Sequence, residues 1–342
     1  MDKKQRILVT GASGFIGTKL VQLLLREGFS VRGLYHNRPL DWSNFAELDP
    51  GDRLDFVQGD ITSLESVRTA MNDCRYVFHL AGFAQNWTRD LSLFAKNNID
   101  GMRNVFQIAK EQDIERIVWT SSIVTFGQTE LGTTADETSR RITERYFTEY
   151  EKTKTVAEKE ALQWAADGLP LVIVNPTRVF GPGPKTDGNA LTELISDYIT
   201  GKLFVMLNFG MNVGNYAFVD DVARGHYLAM LQGRIGERYI LGGENASLRQ
   251  FYTYIEEVTG IRRRGVPVFL PGAIMLSRLF VLWAKLTGGY PRISPGWVRT
   301  FAADWSYGCD KAKSELGYAP ISLKEAIQRT YVWLQEKNKT KG

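Results

Sequence analysis

Cysteine and histidine are both scarce in this chain of 342 residues. The two cysteines, Cys74 and Cys309, lie far apart, and the three histidines, His36, His79 and His226, lack the spacing of metal ligands. The pattern argues against a disulfide framework and is typical of proteins from a reducing compartment. We therefore expect no metal site.

Clusters of like charge are also rare. The formal net charge is +4, and Lys and Arg residues are mixed with acids except in the arginine run at 262–264. The sequence therefore does not indicate a nucleic-acid groove. The arginine run is either a solvated loop or a contact for an anionic substrate or a lipid headgroup.

A long uninterrupted apolar run is missing as well. Residues 1–6 lead directly into an apolar strand and leave no room for a signal segment, so we expect a cytoplasmic protein. The most apolar window is 266–286, and its helical part, 273–287, would be about 22 Å long, shorter than the ~30 Å hydrocarbon core of a bilayer. It either caps an apolar pocket or lies against a membrane surface. We favour the pocket, because a helix that is apolar on most sides is usually buried.

The chain does contain a regular alternation of strand and helix patterns. Predicted strands cover 7–10, 30–35, 54–58, 76–80, 116–120 and 169–174. One predicted helix ends at Arg26, and the others cover 64–71, 93–112, 149–166 and 191–200. Short apolar strands between helices predict an α/β fold with a doubly wound parallel sheet.

The rhythm changes after Asn175-Pro176, and residues 216–219 look like a return to the sheet. We therefore predict a core domain of residues 1–175 plus about 213–243. A smaller, interleaved C-terminal substrate lobe takes about 176–212 plus 244–335, and residues 336–342 form a disordered tail. Asp220 and Asp221 are expected to cap a helix that begins near Val222 rather than to form a paired-carboxylate site.

The first strand runs directly into Gly11, Gly14 and Gly17, and a helical pattern follows. Glycines at these positions allow a sharp turn, a close approach of the backbone to a pyrophosphate, and tight packing of the helix on the sheet. The phosphates would then lie at the helix N-terminus. The segment predicts that the core is a dinucleotide-binding Rossmann domain.

Tyr150 and Lys154 lie four residues apart, on one face of a predicted helix. A carbonyl that accepts hydride needs a proton donor, and we expect the nearby cation to lower the pKa of the phenol so that it ionises more easily. The pairs Tyr198/Lys202 and Tyr307/Lys311 have the same spacing, but only Tyr150 follows a buried strand that ends in hydroxyl side chains, at 120–122.

Charge at the end of the second strand bears on the choice of cofactor. An NAD site usually has a carboxylate there for the ribose 2′-hydroxyl. Here Arg32, His36 and Arg38 precede the first acid, Asp41, and each could meet a 2′-phosphate. This favours NADP(H), with NAD(H) as the alternative.

Over nearly its whole length the chain resembles the extended short-chain dehydrogenase/reductases, which include nucleotide-sugar epimerases, dihydroflavonol reductases and 3β-hydroxysteroid dehydrogenases. The segments that carry the resemblance are 11–17, 59–61, 79–82, 98–101, 120–127, 150–154, 175–183, 218–222 and 311–318.

The resemblance implies roles for individual residues. The implied catalytic residues are Ser122, Tyr150, Lys154 and Asn98, with Asn98 organising the site rather than reacting. The implied cofactor contacts are Gly11, Ser13, Gly14, Phe15, Ile16, Gly17, His36, Arg38, Asp60, Ile61, Leu80, Ala81, Gly82, Lys154, Pro176 and Thr177. The implied substrate contacts are Phe83, Ser122 and Tyr150. His79 is expected to be a packed strand residue, and a homodimer through two sheet-flanking helices is expected from the resemblance.

Two kinds of reaction use the same Ser, Tyr and Lys: reduction by an exchanging NADPH, and epimerisation with a retained NAD. We favour reversible hydride transfer between NADP(H) and a ketone, aldehyde or secondary alcohol of a fairly hydrophobic small molecule. Asn175-Pro176 resembles the reductase branches, whereas sugar enzymes commonly have Arg-Pro. Ile123 and Val124 supply no acid beside the serine, which argues against a dehydratase but not against epimerisation. An NAD-retaining epimerase of a nucleotide sugar is the alternative, and a non-catalytic dinucleotide sensor or scaffold is the second.

Overall fold

In a computed structural model of the protein, residues 5–37, 45, 48, 50–202, 205–291 and 293–339 are described. Their strands are β1 (Arg6–Thr10), β2 (Ser30–Tyr35), β3 (Leu54–Gln58), β4 (Cys74–His79), β5 (Arg116–Thr120), β6 (Leu171–Pro176), β7 (Arg178–Phe180), β8 (Val205–Leu207), β9 (Val213–Phe218), β10 (Arg238–Leu241), β11 (Glu244–Ser247) and β12 (Val266–Val268). Their α-helices are α1 (Phe15–Arg26), α2 (Leu64–Met71), α3 (Ser92–Ala95), α4 (Gly101–Glu111), α5 (Glu149–Ala166), α6 (Ala190–Thr200), α7 (Val219–Gln232), α8 (Leu248–Thr259), α9 (Leu270–Thr287), α10 (Pro295–Phe301), α11 (Asp310–Leu316) and α12 (Leu323–Lys339).

Seven of these strands form one sheet in the order β3-β2-β1-β4-β5-β6-β10. Every neighbouring pair in it is parallel. The chain reverses its direction of winding between β1 and β4, so a crevice opens there at the carboxyl ends of the strands. The prediction of a doubly wound α/β fold is confirmed, and the crevice is where a ligand is expected.

Alternate residues of each strand supply the two cores that hold helices on the sheet. Ile7 and Val9 of β1 belong to a core shared with α1 and α7, whereas Leu8 belongs to a core shared with α4 and α5. All three side chains are fully buried. This period of two on both faces is the reason that the strands read as continuous apolar runs.

The predicted return to the sheet at 216–219 is wrong. β9 pairs with β7 and β11 in a separate three-stranded sheet, and the strand that rejoins the large sheet is β10, which pairs with β6. β9 nevertheless ends in α7, which packs against α1. The chain therefore returns from the smaller lobe to the core domain through helix α7 and then strand β10.

The expected capping by Asp220 and Asp221 is also wrong. α7 begins at Val219 with Phe218 as its N-cap, so both acids lie inside the first turn, where carboxylates favour the positive end of the helix dipole. Asp220 pairs with Lys19 at 3.2 Å, and Asp221 accepts a hydrogen bond from the Ile321 amide at 2.9 Å.

Element bounds were otherwise predictable to within a few residues. β2, β3, β5, α2 and α5 have the predicted limits, and the predicted helix at 93–112 is α3, a π-helical turn at Lys96–Asp100 and α4 in succession. The predicted disordered tail is helical as far as Lys339, where α12 ends, and 340–342 lie outside the described residues.

The apolar window at 266–286 forms β12 and most of α9, but α9 does not cap a pocket. Met275, Leu279, Trp283 and Leu286 are all more than half exposed, and the buried positions of the helix hold small residues. By length and composition α9 is the one helix among the described residues that could cross a membrane. The expectation that this window is buried in protein is therefore wrong.

Candidate active site

The glycine loop leaves no room for side chains between β1 and α1. Gly11 has a φ of +69°, and a Cβ there would lie 2.8 Å from the Ala81 amide nitrogen. A Cβ on Gly17 would lie 2.1 Å from the Gly11 carbonyl oxygen. The helix is thus held against the turn at a distance that only glycine permits.

The N-terminus of α1 is uncapped by any side chain, since its N-cap is Gly14. The first amides of a helix have no partner within the helix, so they face the crevice with the positive end of the helix dipole. A backbone cradle of this kind fits a pyrophosphate.

Two cavities that share several lining residues follow the carboxyl edge of the sheet. The larger, of about 660 Å³, contains these predicted site residues: Gly11, Gly14, Phe15, Ile16, Gly17, Leu80, Gly82, Asn98, Ser122, Tyr150, Lys154, Pro176 and Thr177. The smaller, of about 460 Å³, contains these: Gly11, Ser13, Gly14, His36, Asp60, Ile61, Leu80, Ala81, Gly82 and Phe83. Together they provide an extended groove that passes over the glycine loop.

One predicted substrate contact is not brought to the reacting end of this groove, where Ser122 and Tyr150 lie. Phe83 lines only the smaller cavity and packs edge-on against Phe94, with ring centroids 4.9 Å apart. The structure therefore does not place it beside Ser122 and Tyr150. Arg38 lies outside the described residues.

Ser122 and Tyr150 meet at the end of β5. The serine begins a short 3-10 turn, in which its hydroxyl accepts a hydrogen bond from the Val124 amide at 3.4 Å. Tyr150 lies in the first turn of α5. Burial raises the pKa of Tyr150, and a side-chain hydrogen bond with Ser122 opposes that effect without cancelling it. The phenol is therefore protonated at neutral pH and can act as a proton donor.

Lys154 is buried one turn further along α5. Its ammonium donates a hydrogen bond to the Thr120 carbonyl at 2.8 Å and lies 4.7 Å from the centre of the Trp119 ring. Burial lowers its pKa to about 8, although the nearby Glu158 carboxylate acts in the opposite direction. Lys154 is not among the groups that shift the pKa of Tyr150, so the expected lowering of that pKa by the cation is not seen in this arrangement.

Asn98 acts on the backbone rather than on a reacting group. It lies in the π-helical turn, where its side-chain oxygen accepts from the Phe83 amide at 2.7 Å and its amide nitrogen donates to the Phe83 carbonyl and to Thr153 Oγ1, both at 3.1 Å. Its side chain is almost fully buried. These contacts tie the segment after β4 to α5.

His226 and His79 are buried behind the site. Nδ1 of His226 donates to the Val222 carbonyl at 2.8 Å, so Nε2 is free to accept from Thr120 Oγ1, also at 2.8 Å. Burial lowers the pKa of His226 to about 4 and that of His79 to about 3. Both rings are therefore neutral packing groups near pH 7, as was expected for His79. No metal-ligand cluster occurs among the described residues.

Asp60 lies at the other end of the groove, after β3. Its side chain accepts from the Thr62 amide at 2.8 Å and lies 3.6 Å from Nε2 of His36. Partial burial would raise the pKa of Asp60, but the hydrogen bonds from Thr62 and the charge of His36 outweigh burial and lower it. The carboxylate remains ionised beside an exposed imidazole.

Arg32 is not available for a 2′-phosphate, contrary to expectation. Its guanidinium pairs with Asp55 at 3.0 Å and donates to the carbonyls of Ala70 and Asn72. Arg32 and Asp55 are direct partners in the register of β2 and β3. Of the two candidates within the described residues, Arg32 and His36, it is His36 that lines the groove.

Two residues that line or support the larger cavity, Ser121 and Glu158, were not among the predicted site residues, whereas Thr177 was. Ser121 Oγ and Thr177 Oγ1 are buried in its wall without a hydrogen-bond partner among the described residues. Such unpartnered atoms suit a polar ligand in the groove. Glu158 accepts from Asn175 at 2.6 Å behind the wall, and its spacing of four from Lys154 was the available signal.

Residues 7–242 match the NAD dependent epimerase/dehydratase family. A Synechocystis protein named provisionally as a dihydroflavonol 4-reductase is 33% identical over 96% of this chain and 94% of its own length. Sterol demethylase protein B of Methylococcus capsulatus is 28% identical over 96% of this chain and 98% of its own.

Among solved structures, the crystal structure of gox2253 is 29% identical and superposes with a TM-score of 0.79 over 98% of this chain and 99% of that one. The family match covers residues 7–242, and the relatives and the solved structure match nearly the whole length. The chain belongs to the NAD dependent epimerase/dehydratase family, as an NAD(P)-dependent oxidoreductase of the extended short-chain dehydrogenase/reductase type.

Proposed function

We propose that the protein reduces a ketone or aldehyde of a fairly hydrophobic small molecule with NADPH, and that Tyr150 donates the proton. The observation that carries this proposal is the meeting of Ser122, Tyr150 and Lys154 at one wall of the larger cavity. That wall lies at the carboxyl edge of the sheet, beside the uncapped N-terminus of α1. The dinucleotide, when bound along the groove, supplies the hydride.

The residues of the wall are suited to the proton half of the reaction. A substrate oxygen placed between Ser122 and Tyr150 can accept a hydrogen bond from each hydroxyl, which stabilises charge that develops on that oxygen. Tyr150 then gives its proton to the oxygen, since its raised pKa keeps the phenol protonated beforehand. Lys154, which carries a proton below about pH 8, supplies positive charge near this transfer and can hold a ribose hydroxyl.

Charge in the larger cavity favours a substrate without a diphosphate. Lys154 is the only Lys or Arg among the described lining residues, and it already donates to the Thr120 carbonyl. Asp187 adds a carboxylate to the same lining, while Phe15, Ile16 and Val179 add apolar surface. A nucleotide sugar would need cations for its diphosphate that this wall does not provide. The apolar side chains instead suit a hydrophobic ketone.

NADPH is favoured because no acid follows β2 before Asp41. A carboxylate at this point would bind the ribose 2′-hydroxyl of NADH and repel a 2′-phosphate. His36 lines the groove here, and Arg38 follows it two residues later in the sequence. We assign the 2′-phosphate to His36 and Arg38.

Tyr150→Phe tests the proton donor. With NADPH and a panel of apolar ketones, this variant should lose at least ~10²-fold in kcat while its Kd for NADPH stays close to that of the wild type. Tyr198→Phe is the matched control. Tyr198 also lies four residues before a lysine, but it belongs to α6 and is buried in a separate core. Unchanged turnover in Tyr150→Phe would reject the assignment.

Cofactor titration tests the rest of the proposal. Wild-type protein should bind NADPH more tightly than NADH, and Arg38→Ala should remove most of that difference. NAD found by mass spectrometry in the denatured purified protein would instead support the retained-cofactor epimerase. Tight binding of NADPH without turnover of any ketone would support the sensor.

A further inference from the structure

The exposed apolar residues of α9 share one face of the helix. At about 100° per residue, Met275, Leu276, Leu279, Leu282, Trp283 and Leu286 fall within an arc of about 120°. Each of these side chains is at least 46% exposed. The buried residues of the helix, Ala273, Ser277 and Ala284, lie on the opposite side. The helix therefore packs on the protein through small residues and presents its large apolar residues outward.

The exposed face continues beyond the helix. Phe269, the N-cap of α9, is 67% exposed and packs edge-on against Phe209, whose ring centroid is 5.4 Å away. β12, just before α9, pairs with β8, so the two segments hold one another in place. We call Phe209, Phe269 and the six exposed residues of α9 the apolar face. Soluble proteins usually expose large apolar residues singly, so a contiguous apolar face of this kind indicates an interaction site.

The segment of the sequence that carries α9 has charge of one sign. Residues 258–303 contain no Asp or Glu but include seven Lys and Arg residues. Arg278 and Lys285 border one side of the apolar arc, and the exposed arginines at 262–264 precede β12. Arg262 pairs with Glu256, which lies before this acid-free stretch. Apolar residues bordered by cations are the pattern of a helix that lies in the interface of an anionic bilayer.

We propose that the protein docks on anionic lipid bilayers through the apolar face, with α9 parallel to the membrane plane. A second copy of the chain fits this surface less well, because a two-fold contact would bring the cationic borders of the two copies together. An in-plane helix also keeps Arg278, in the middle of α9, at the level of the lipid headgroups rather than in hydrocarbon.

Docking would place the larger cavity close to the lipid. Arg89 donates to the carbonyls of Ala284 and Lys285 at the end of α9. Tyr290 follows the helix, donates to Asp187 at 2.8 Å and lines the cavity together with it. An apolar substrate could then enter from the bilayer, a consequence that rests on the proposed function, whereas the docking itself does not.

Vesicle co-sedimentation tests the docking directly. The full chain is mixed with vesicles of phosphatidylcholine alone or of phosphatidylcholine with phosphatidylglycerol. We expect binding to the anionic vesicles that weakens with added salt. The double variant Leu279→Glu/Trp283→Glu should bind at least roughly tenfold more weakly. Leu131→Glu, at an 88% exposed leucine outside the apolar face, is the matched control and should bind as the wild type does.

NADPH titration of the same variants shows whether they are folded. The double variant should bind NADPH as the wild type does, since no residue of α9 is among the described residues that line either cavity. Absence of binding to both kinds of vesicle would overturn the proposal, and so would binding that the double variant retains. A dimer in sedimentation that only the double variant dissolves, without vesicle binding, would assign the face to a second copy instead.

Discussion

Replacing His226 by Gln should make the protein less sensitive to acid. The buried imidazole holds Thr120, the residue whose carbonyl accepts the Lys154 ammonium, so its protonation affects the support of the site. Burial holds the pKa of His226 at about 4, although the hydrogen bond to Val222 raises it, against an ordinary value of 6.5. The folded protein therefore excludes a proton that the unfolded chain binds below pH 6.5.

The sign and size of the effect follow from this difference. Stability from His226 is fully present above pH 6.5 and is lost as the pH falls toward 4, because the unfolded chain is protonated first. At about 1.4 kcal/mol per pKa unit, the free energy of unfolding should fall by roughly 3 kcal/mol over this range. Asp221, whose pKa is raised to about 6 by burial, acts in the opposite direction. The comparison must therefore be made between two proteins that both contain Asp221.

Gln provides a donor and an acceptor without titrating. Urea unfolding of the wild type and His226→Gln at several values between about pH 7 and pH 4 should show the variant losing about 3 kcal/mol less than the wild type. The free energy of unfolding of each protein at neutral pH is its own baseline, so a constant difference in stability between the two proteins does not affect the comparison. Parallel pH profiles of the two proteins would refute the assignment of a neutral, buried His226.

Three further predictions concern the groove. Gly17→Ala places a Cβ 2.1 Å from the Gly11 oxygen and should raise the Kd for NADPH at least about tenfold in a fluorescence titration, whereas Gly272→Ala, which meets nothing within 4 Å, should leave it unchanged. The rate of ketone reduction should fall as the pH rises through about 8, because Lys154 then loses its proton, and a rate that keeps increasing above this pH would contradict that role. Arg32→Gln should lower the Tm but leave the ratio of the Kd values for NADPH and NADH unaltered, and a changed ratio would restore Arg32 to the cofactor site.

The central sheet and the meeting of Ser122, Tyr150 and Lys154 at its carboxyl edge were predictable because their signals are local. Strands buried on both faces read as short apolar runs, and the glycine loop lies where a strand meets a helix. Tyr150 was distinguished from the equally spaced Tyr198 and Tyr307 by the strand that precedes it. In the structure Tyr198 lies in the core of the smaller lobe, and Tyr307 donates to the Gly127 carbonyl.

The wrong predictions concern features that depend on contacts between residues distant in sequence. Arg32 is paired because the register of β2 and β3 places Asp55 opposite it, and a single sequence does not reveal that register. β9 has an apolar strand pattern like those of the central sheet, but it packs over α8 in the smaller lobe. The exposure of α9 was missed because composition shows how apolar a helix is without showing which of its faces the rest of the chain covers.

The most direct test of the central claim is the stoichiometry of NADPH consumption with an apolar ketone. Each molecule of ketone reduced should consume one molecule of NADPH, and the oxidised cofactor should leave the protein. Tyr150→Phe should show neither consumption of NADPH nor formation of the alcohol. Conversion of a substrate without net consumption of NADPH, with NAD remaining on the protein, would contradict the account and identify an epimerase.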